Sequence, residues 1–179
     1  MKLRPFIALL LFALLASGSF GQSRFDNPSE VITSFYRAME QEALETRSAE
    51  LKALFLEEGT IHSIVQKSSL TSSPKGGSVT DFLQGSSGFY LANTMSYDEI
   101  ERSIDYYVDI ATVHSLVFQT IVERNNANIA YEQMLWFSFT MVFEKDRWFL
   151  TNVSWVNAFE DEDIDDAMRL DTLWHPTKD

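Results

Sequence analysis

Trp148-Phe149-Leu150-Thr151-Asn152-Val153-Ser154-Trp155 closes a stretch, Glu101 to Ala158, in which three long apolar and aromatic segments are separated by tight polar breaks. Runs this rich in Val, Ile, Phe, Tyr and Trp, at strand length and repeated, predict an antiparallel meander. Strands are expected at roughly 100–110, 112–124, 129–144 and 147–157, with hairpin turns at Asn125-Asn126-Ala127-Asn128 and Glu144-Lys145-Asp146-Arg147. In the third, Met134, Trp136, Ser138 and Thr140 share one face while Leu135, Phe137, Phe139 and Met141 share the other. Both faces are largely apolar, so the strand is expected to be covered on both sides, by helices on one and by a partner subunit on the other.

Upstream of the meander the period is helical. Asn27-Pro28-Ser29-Glu30 opens a helix, with Asn27 as N-cap, Pro28 at the first position and Glu30 as capping-box partner. Val31, Ile32, Phe35, Ala38 and Met39 then make one apolar stripe. A second helix is expected from near Ser48, with Leu51, Leu54 and Phe55 inward and Gly59 as its C-cap. Thr60 to Val65 reads as a short strand, and Lys67 to Gly77, rich in Ser, Gly and Pro, as a mobile loop. Ser78-Val79-Thr80-Asp81 repeats the N-cap pattern, opening a helix that the Gly85 to Gly88 interruption should keep short or kinked.

The two ends bound the compartment. Met1 to Arg4 is basic, Phe6 to Ala16 is apolar and Ser17 to Gly21 is small, which is the pattern of a secretory signal peptide at residues 1–21. The run is shorter than the roughly 20 apolar residues that span a bilayer. An exported protein, periplasmic or secreted, is expected, with no membrane attachment after cleavage and one domain over residues 22–158. The formal net charge is −12, and losing Lys2 and Arg4 makes it two units more negative. That argues against nucleic acid and anionic membrane partners. There is no cysteine, so disulfides, lipoprotein attachment and Cys-type zinc sites are excluded. Residues 159–179 read as a loosely docked acidic tail.

Within that tail, Glu160 to Asp166 fails as a calcium loop, because Asp166 stands where Gly is needed and Thr172 where Glu is needed. Asn152-Val153-Ser154 matches a glycosylation sequon but sits inside a predicted strand. No phosphate-binding glycine loop, Gly-x-Ser-x-Gly or cysteine nucleophile occurs.

The order of helix, helix, strand, helix and meander, ending in Trp-x-Leu-x-Asn-x-x-Trp, resembles the nuclear transport factor 2-like superfamily. Its members include ketosteroid isomerase, scytalone dehydratase and polyketide cyclases. The resemblance covers about Pro28 to Ala158. It is carried by Phe35-Tyr36-Arg37-Ala38-Met39, by Leu54 to Ile61, by Ile110-Ala111-Thr112-Val113-His114 and by Phe139 to Trp155. It implies an α+β fold, a cone-like curved antiparallel/mixed sheet wrapped around three N-terminal helices, and a homodimer through the sheet. In the isomerase-like branch the oxyanion-donating tyrosine would fall at Tyr36. The base carboxylate would fall near Ser63, beside His62, and the proton-donating carboxylate near Ser138. Neither position is acidic here, and that chemistry needs both acids.

The candidate residues follow from these patterns. Tyr36 with His62 or His114 would suit acid-base work near neutral pH, although a strand histidine bonded to backbone is the plainer reading. Asp105 and Glu132 would serve as bases only if desolvated. Trp136, Trp148, Trp155, Tyr106 and Tyr107 could stack a flat ligand. The ligand-binding set expected is Tyr36, His62, Tyr107, His114, Glu132, Trp136 and Trp155. No metal ligand spacing or cofactor motif is present. The leading expectation is an exported binding domain without assignable catalysis, taking a small apolar or aromatic ligand in its cone or a partner on its sheet. The alternative is a hydratase, cyclase or isomerase using Tyr36 with His62 or His114.

Overall fold

Two helices, α1 (Pro28–Glu40) and α2 (Leu44–Leu54), lead into the edge hairpin β1 (Phe55–Ser68) and β2 (Thr71–Ser78). A third helix, α3 (Val79–Ala92), precedes the meander β3 (Asn93–Tyr107), β4 (Ile110–Glu123), β5 (Ala130–Glu144) and β6 (Arg147–Asn157). This computed structural model describes residues 25–68, 71–126 and 130–157. The signal peptide expected at 1–21, the acidic tail expected at 159–179 and part of the 125–128 turn lie outside the described residues.

The strands form one open sheet in the order β2-β1-β6-β5-β4-β3, in which β1 and β6 run parallel and every other pair antiparallel. Buried side chains of all three helices join Ile61, Val113, Val117, Leu135, Phe137, Phe139, Met141 and Val153 in one core. The helices therefore fill the concave face of an α+β cone. Phe35 sits at its centre, edge-on to Phe55, Phe137 and Phe139 at centroid distances of 5.3–6.4 Å.

Local signals explain the helix ends. Asn27 caps α1 by accepting the Ser29 amide at 2.8 Å. At α3, Ser78 Oγ accepts the Asp81 amide at 3.1 Å, and Asp81 Oδ2 accepts the Ser78 amide at 3.2 Å. The β5–β6 hairpin turns on Lys145 and Asp146, both with positive φ, the backbone that matches the twist of adjoining strands.

The structure corrects four expectations. The stretch read as a loop from Lys67 to Gly77 holds all of β2 except Ser78, and the strand pairs with β1 from Thr60↔Ser78 onward. Polar edge strands carry no apolar period to announce them, and Gly76 marks this one: its φ is +153°, and a Cβ there would lie 2.0 Å from the Ile61 carbonyl oxygen. Helix α2 starts at Leu44, a turn before Ser48, because the Arg47 amide already bonds the Ala43 carbonyl at 3.0 Å. Gly59 lies inside β1 rather than capping α2, which ends at Leu54. Helix α3 runs through Gly85 and Gly88 for 14 residues.

Two irregularities in register shape the concave face. Between Glu99 and Glu101, β3 carries one more residue than β4 opposite, a bulge at Ile100. Between Leu150 and Asn152, β6 does the same against β5, a bulge at Thr151. Each reverses the inward-outward alternation beyond it. Trp148 and Leu150 can thus face the core together with Val153.

Candidate functional site

The bulge at Ile100 has a chemical result. In a regular strand Glu99 and Arg102 would point to opposite faces, but here both turn to the concave side. Arg102 Nε donates to Glu99 Oε1 at 2.7 Å, and its Nη2 donates to Glu99 Oε2. Arg102 also reaches α1, donating from Nη1 to the Ser29 carbonyl at 2.6 Å and from Nη2 to Thr33 Oγ1 at 3.3 Å. Ser115 Oγ donates to Glu99 Oε1 at 2.6 Å and accepts from the Tyr36 hydroxyl at 2.9 Å.

Tyr36, Ser115, Glu99 and Arg102 therefore form one directional chain between α1, β4 and β3. Tyr36 and Ser115 are buried. Burial pushes the Tyr36 phenol far above its ordinary pKa; the Ser115 hydrogen bond pulls the other way, and the Glu99 carboxylate adds a smaller upward push. A neutral phenol whose proton is committed to Ser115, ending at a carboxylate held by a guanidinium, is a closed circuit. Its chemistry is to fasten the helix to the sheet.

Toward the far end of β4 the concave face changes character. Tyr97 stacks on Tyr36 at 5.6 Å, and Trp155 stacks on Phe137 at 5.4 Å. Phe82 of α3 meets Trp155 edge-on at 5.8 Å. Phe82, Tyr97 and Trp155 are all only half-buried. Beside these rings runs a row of amides: Gln133 Nε2 donates to Gln119 Oε1 at 2.5 Å, and Asn157 Nδ2 donates to Gln133 Oε1 at 3.1 Å. This end of the sheet offers flat apolar surface with a polar handle next to it, the composition of a small-molecule site.

Of the residues predicted from sequence, Tyr36 and Trp155 lie on the concave face. His62 alternates with buried Ile61, and His114 with buried Val113 and Ser115, so both histidines lie on the convex face. Cross-strand pairing puts Ser103, His114, Ser138, Ser154 and His62 in one row there. Trp136 occupies the next convex row, between Leu116 and Val156. Glu132 is exposed opposite Thr120, and Tyr107 is 79% exposed before the β3–β4 turn. Ser63 and Ser138, the two positions matched to family acids, stand on opposite faces. The structure thus brings Tyr36 to neither histidine.

Sequence reasoning missed Glu99, Arg102, Ser115, Gln119 and Gln133. Among the described residues no group of three or more His, Asp and Glu side chains could hold a metal ion, and no helix is long and apolar enough to cross a membrane.

No family model matches the sequence. No curated protein matches it either. Solved structures do. A provisionally assigned scytalone dehydratase from Novosphingobium aromaticivorans is similar at 14% identity and a TM-score of 0.57, covering 73% of this chain and 81% of that one. A provisionally assigned dehydratase of the nuclear transport factor 2-like family from Streptomyces avermitilis gives 14% and 0.55, covering 72% and 92%. A ketosteroid isomerase-like protein from Erwinia carotovora atroseptica gives 10% and 0.52, covering 73% and 93%. The chain has the nuclear transport factor 2-like fold. At these identities the likeness concerns fold alone, since this architecture hosts unrelated activities.

Proposed function

We propose that this chain is an exported binding domain that takes a small apolar or aromatic molecule against the end of its concave face framed by Phe82, Tyr97 and Trp155, and pairs with a second copy through its convex face. One observation carries the ligand reading: Trp155 is half-buried among rings, beside the Gln133 and Asn157 amides. A ligand would extend the stack already begun by Phe137 and Trp155 and use an amide to fix its orientation. The convex face supports pairing because it presents a half-buried tryptophan among apolar and small hydroxyl side chains with no helix packed on it among the described residues.

Catalysis by Tyr36 with a histidine draws no support from this arrangement, because the sheet itself separates them. A thermal-shift screen with apolar and aromatic compounds tests the ligand reading. At least one compound should raise the Tm, and Trp155→Ala should remove that rise while Trp136→Ala keeps it. If no compound stabilises the protein, only the paired-sheet reading survives.

A further inference from the structure

Arg47 of α2 is 2% exposed, as buried as the apolar core around it. Its Nη2 donates to the Gln41 carbonyl, and its guanidinium carbon lies 3.8 Å from the centroid of the Tyr90 ring. Nε and Nη1 have no hydrogen-bond partner among the described residues. Among the described residues no carboxylate pairs with it either. The charged or ionisable groups that act on it are Tyr90, Tyr97 and Arg124, and the acids just before it in the chain are engaged elsewhere. Glu40 accepts the Tyr97 amide at 2.8 Å, and Glu42 pairs with Arg124 at 3.1 Å. A guanidinium remains charged in proteins, and a buried charge without a counterion is costly enough that native structures almost always pair it.

The surroundings are rich in donors. The Tyr90 hydroxyl donates to Met39 Sδ at 3.6 Å, the Tyr97 hydroxyl to Met95 Sδ at 3.7 Å, and Gln119 Nε2 to the same Met95 sulfur at 3.6 Å, and sulfur is a weak acceptor. Gln119 continues into the amide row beside Trp155. Burial raises the pKa of both phenols, so they stay protonated. Tyr90 belongs to α3, in which Val79, Leu83 and Tyr90 are the only buried residues of 14, so the helix covering Arg47 is thinly anchored.

We infer that the interior beneath α3 is a carboxylate site, in which a small apolar acid pairs its carboxylate with Arg47 and lays its ring toward Phe82 and Trp155. This inference rests on the ligand-binding reading above and narrows it to acids. The last turn of α3, which carries the Tyr90 ring over the guanidinium, moves aside to admit the ligand, and Tyr97 supplies a further donor. Charge-assisted hydrogen bonds to a buried guanidinium give the acid its advantage over a neutral analogue. The carboxylate has two sources in principle: a free acid, or the acidic residues Glu160 to Asp163 of the chain itself.

Calorimetric titration of the full chain with naphthoate and naphthamide tests it. Naphthoate should bind about tenfold or more tightly than naphthamide. Arg47→Met should abolish the preference, bringing the two affinities together. Arg47→Lys, which keeps the charge on a different head group, should retain part of it. If the native chain binds neither compound, the same titration on a chain carrying Glu160→Gln, Asp161→Asn, Glu162→Gln and Asp163→Asn decides the source. Arg47-dependent naphthoate binding that appears only there identifies the acidic segment as the occupant, and no binding there overturns the inference. Equal affinity for acid and amide, or a preference that survives Arg47→Met, also overturns it. In those two cases a loss of all binding in Trp155→Ala would leave the broader ligand reading intact.

Discussion

Trp136 and Phe137 are neighbours in β5 and lie on opposite faces of one sheet, where they meet different demands. Phe137 is 2% exposed and touches the rings of Phe35, Tyr36, Tyr97, Phe139 and Trp155 at 5.4–6.3 Å. Trp136 is half-buried between Leu116 and Val156, and no aromatic ring packs against it among the described residues. The concave face is an interlocked aromatic core tied to α1 by the Tyr36 to Arg102 chain. The convex face is made of parallel rows of hydroxyl, imidazole and apolar side chains. The same strand therefore holds the fold with one face and leaves the other without a helix packed on it among the described residues. What a residue does in this protein is decided first by the face it takes.

Substitutions at adjacent positions would break that comparison most sharply if it were wrong. Phe137→Ala should cost about 3–5 kcal/mol, because the rings around it can only partly refill the space. Trp136→Ala should cost under about 1.5 kcal/mol in the monomer and act mainly on association. Denaturant unfolding of both variants, beside sedimentation of the folded protein, measures the two effects. Similar stability losses at the two positions would mean that the convex face is core as well.

Alkaline titration sharpens the comparison at smaller scale. The Tyr36 and Tyr90 phenols have folded-state pKa values raised above the ordinary 10.0, chiefly by burial. Their contribution to stability is complete below about pH 10 and is lost as pH rises beyond it, because the unfolded phenols ionise first. Each raised phenol should steepen the loss by about 1.4 kcal/mol per pH unit. Tyr36→Phe should cost about 1 kcal/mol near neutrality through its hydrogen bond to Ser115. It should also make the decline between about pH 10 and 11 shallower by one phenol's share. Unfolding curves for the native and Tyr36→Phe proteins across that range give the slopes, and parallel declines would place Tyr36 in water.

The sequence discloses what is local and hides what depends on register. The Asn27 and Ser78 caps and the strands of the meander are legible because a few adjacent residues specify them. The cone class is legible from their order. Edge strand β2 is not, since Thr71 to Ser78 carries only polar residues, Pro and Gly and is held by backbone pairing to β1. The polar chain is hidden for a different reason. Strict alternation separates Glu99 from Arg102, and only the Ile100 bulge reunites them. Arg47 is hidden because its helix begins a turn before its cap signal. The histidines could have been placed by parity, since each is next to a residue of the apolar core, Ile61 for His62 and Val113 for His114.

Fluorine NMR of the protein labelled with fluorotryptophan tests the division between faces most directly. Its four tryptophan signals are assigned by single Trp→Phe variants, and the spectrum is read during ligand addition and again during dilution. Added ligand should shift the Trp155 signal and leave Trp136 in place, while dilution should shift Trp136 and leave Trp155 in place. Ligand-induced movement of Trp136 alone, or of both signals together under either treatment, would contradict the account.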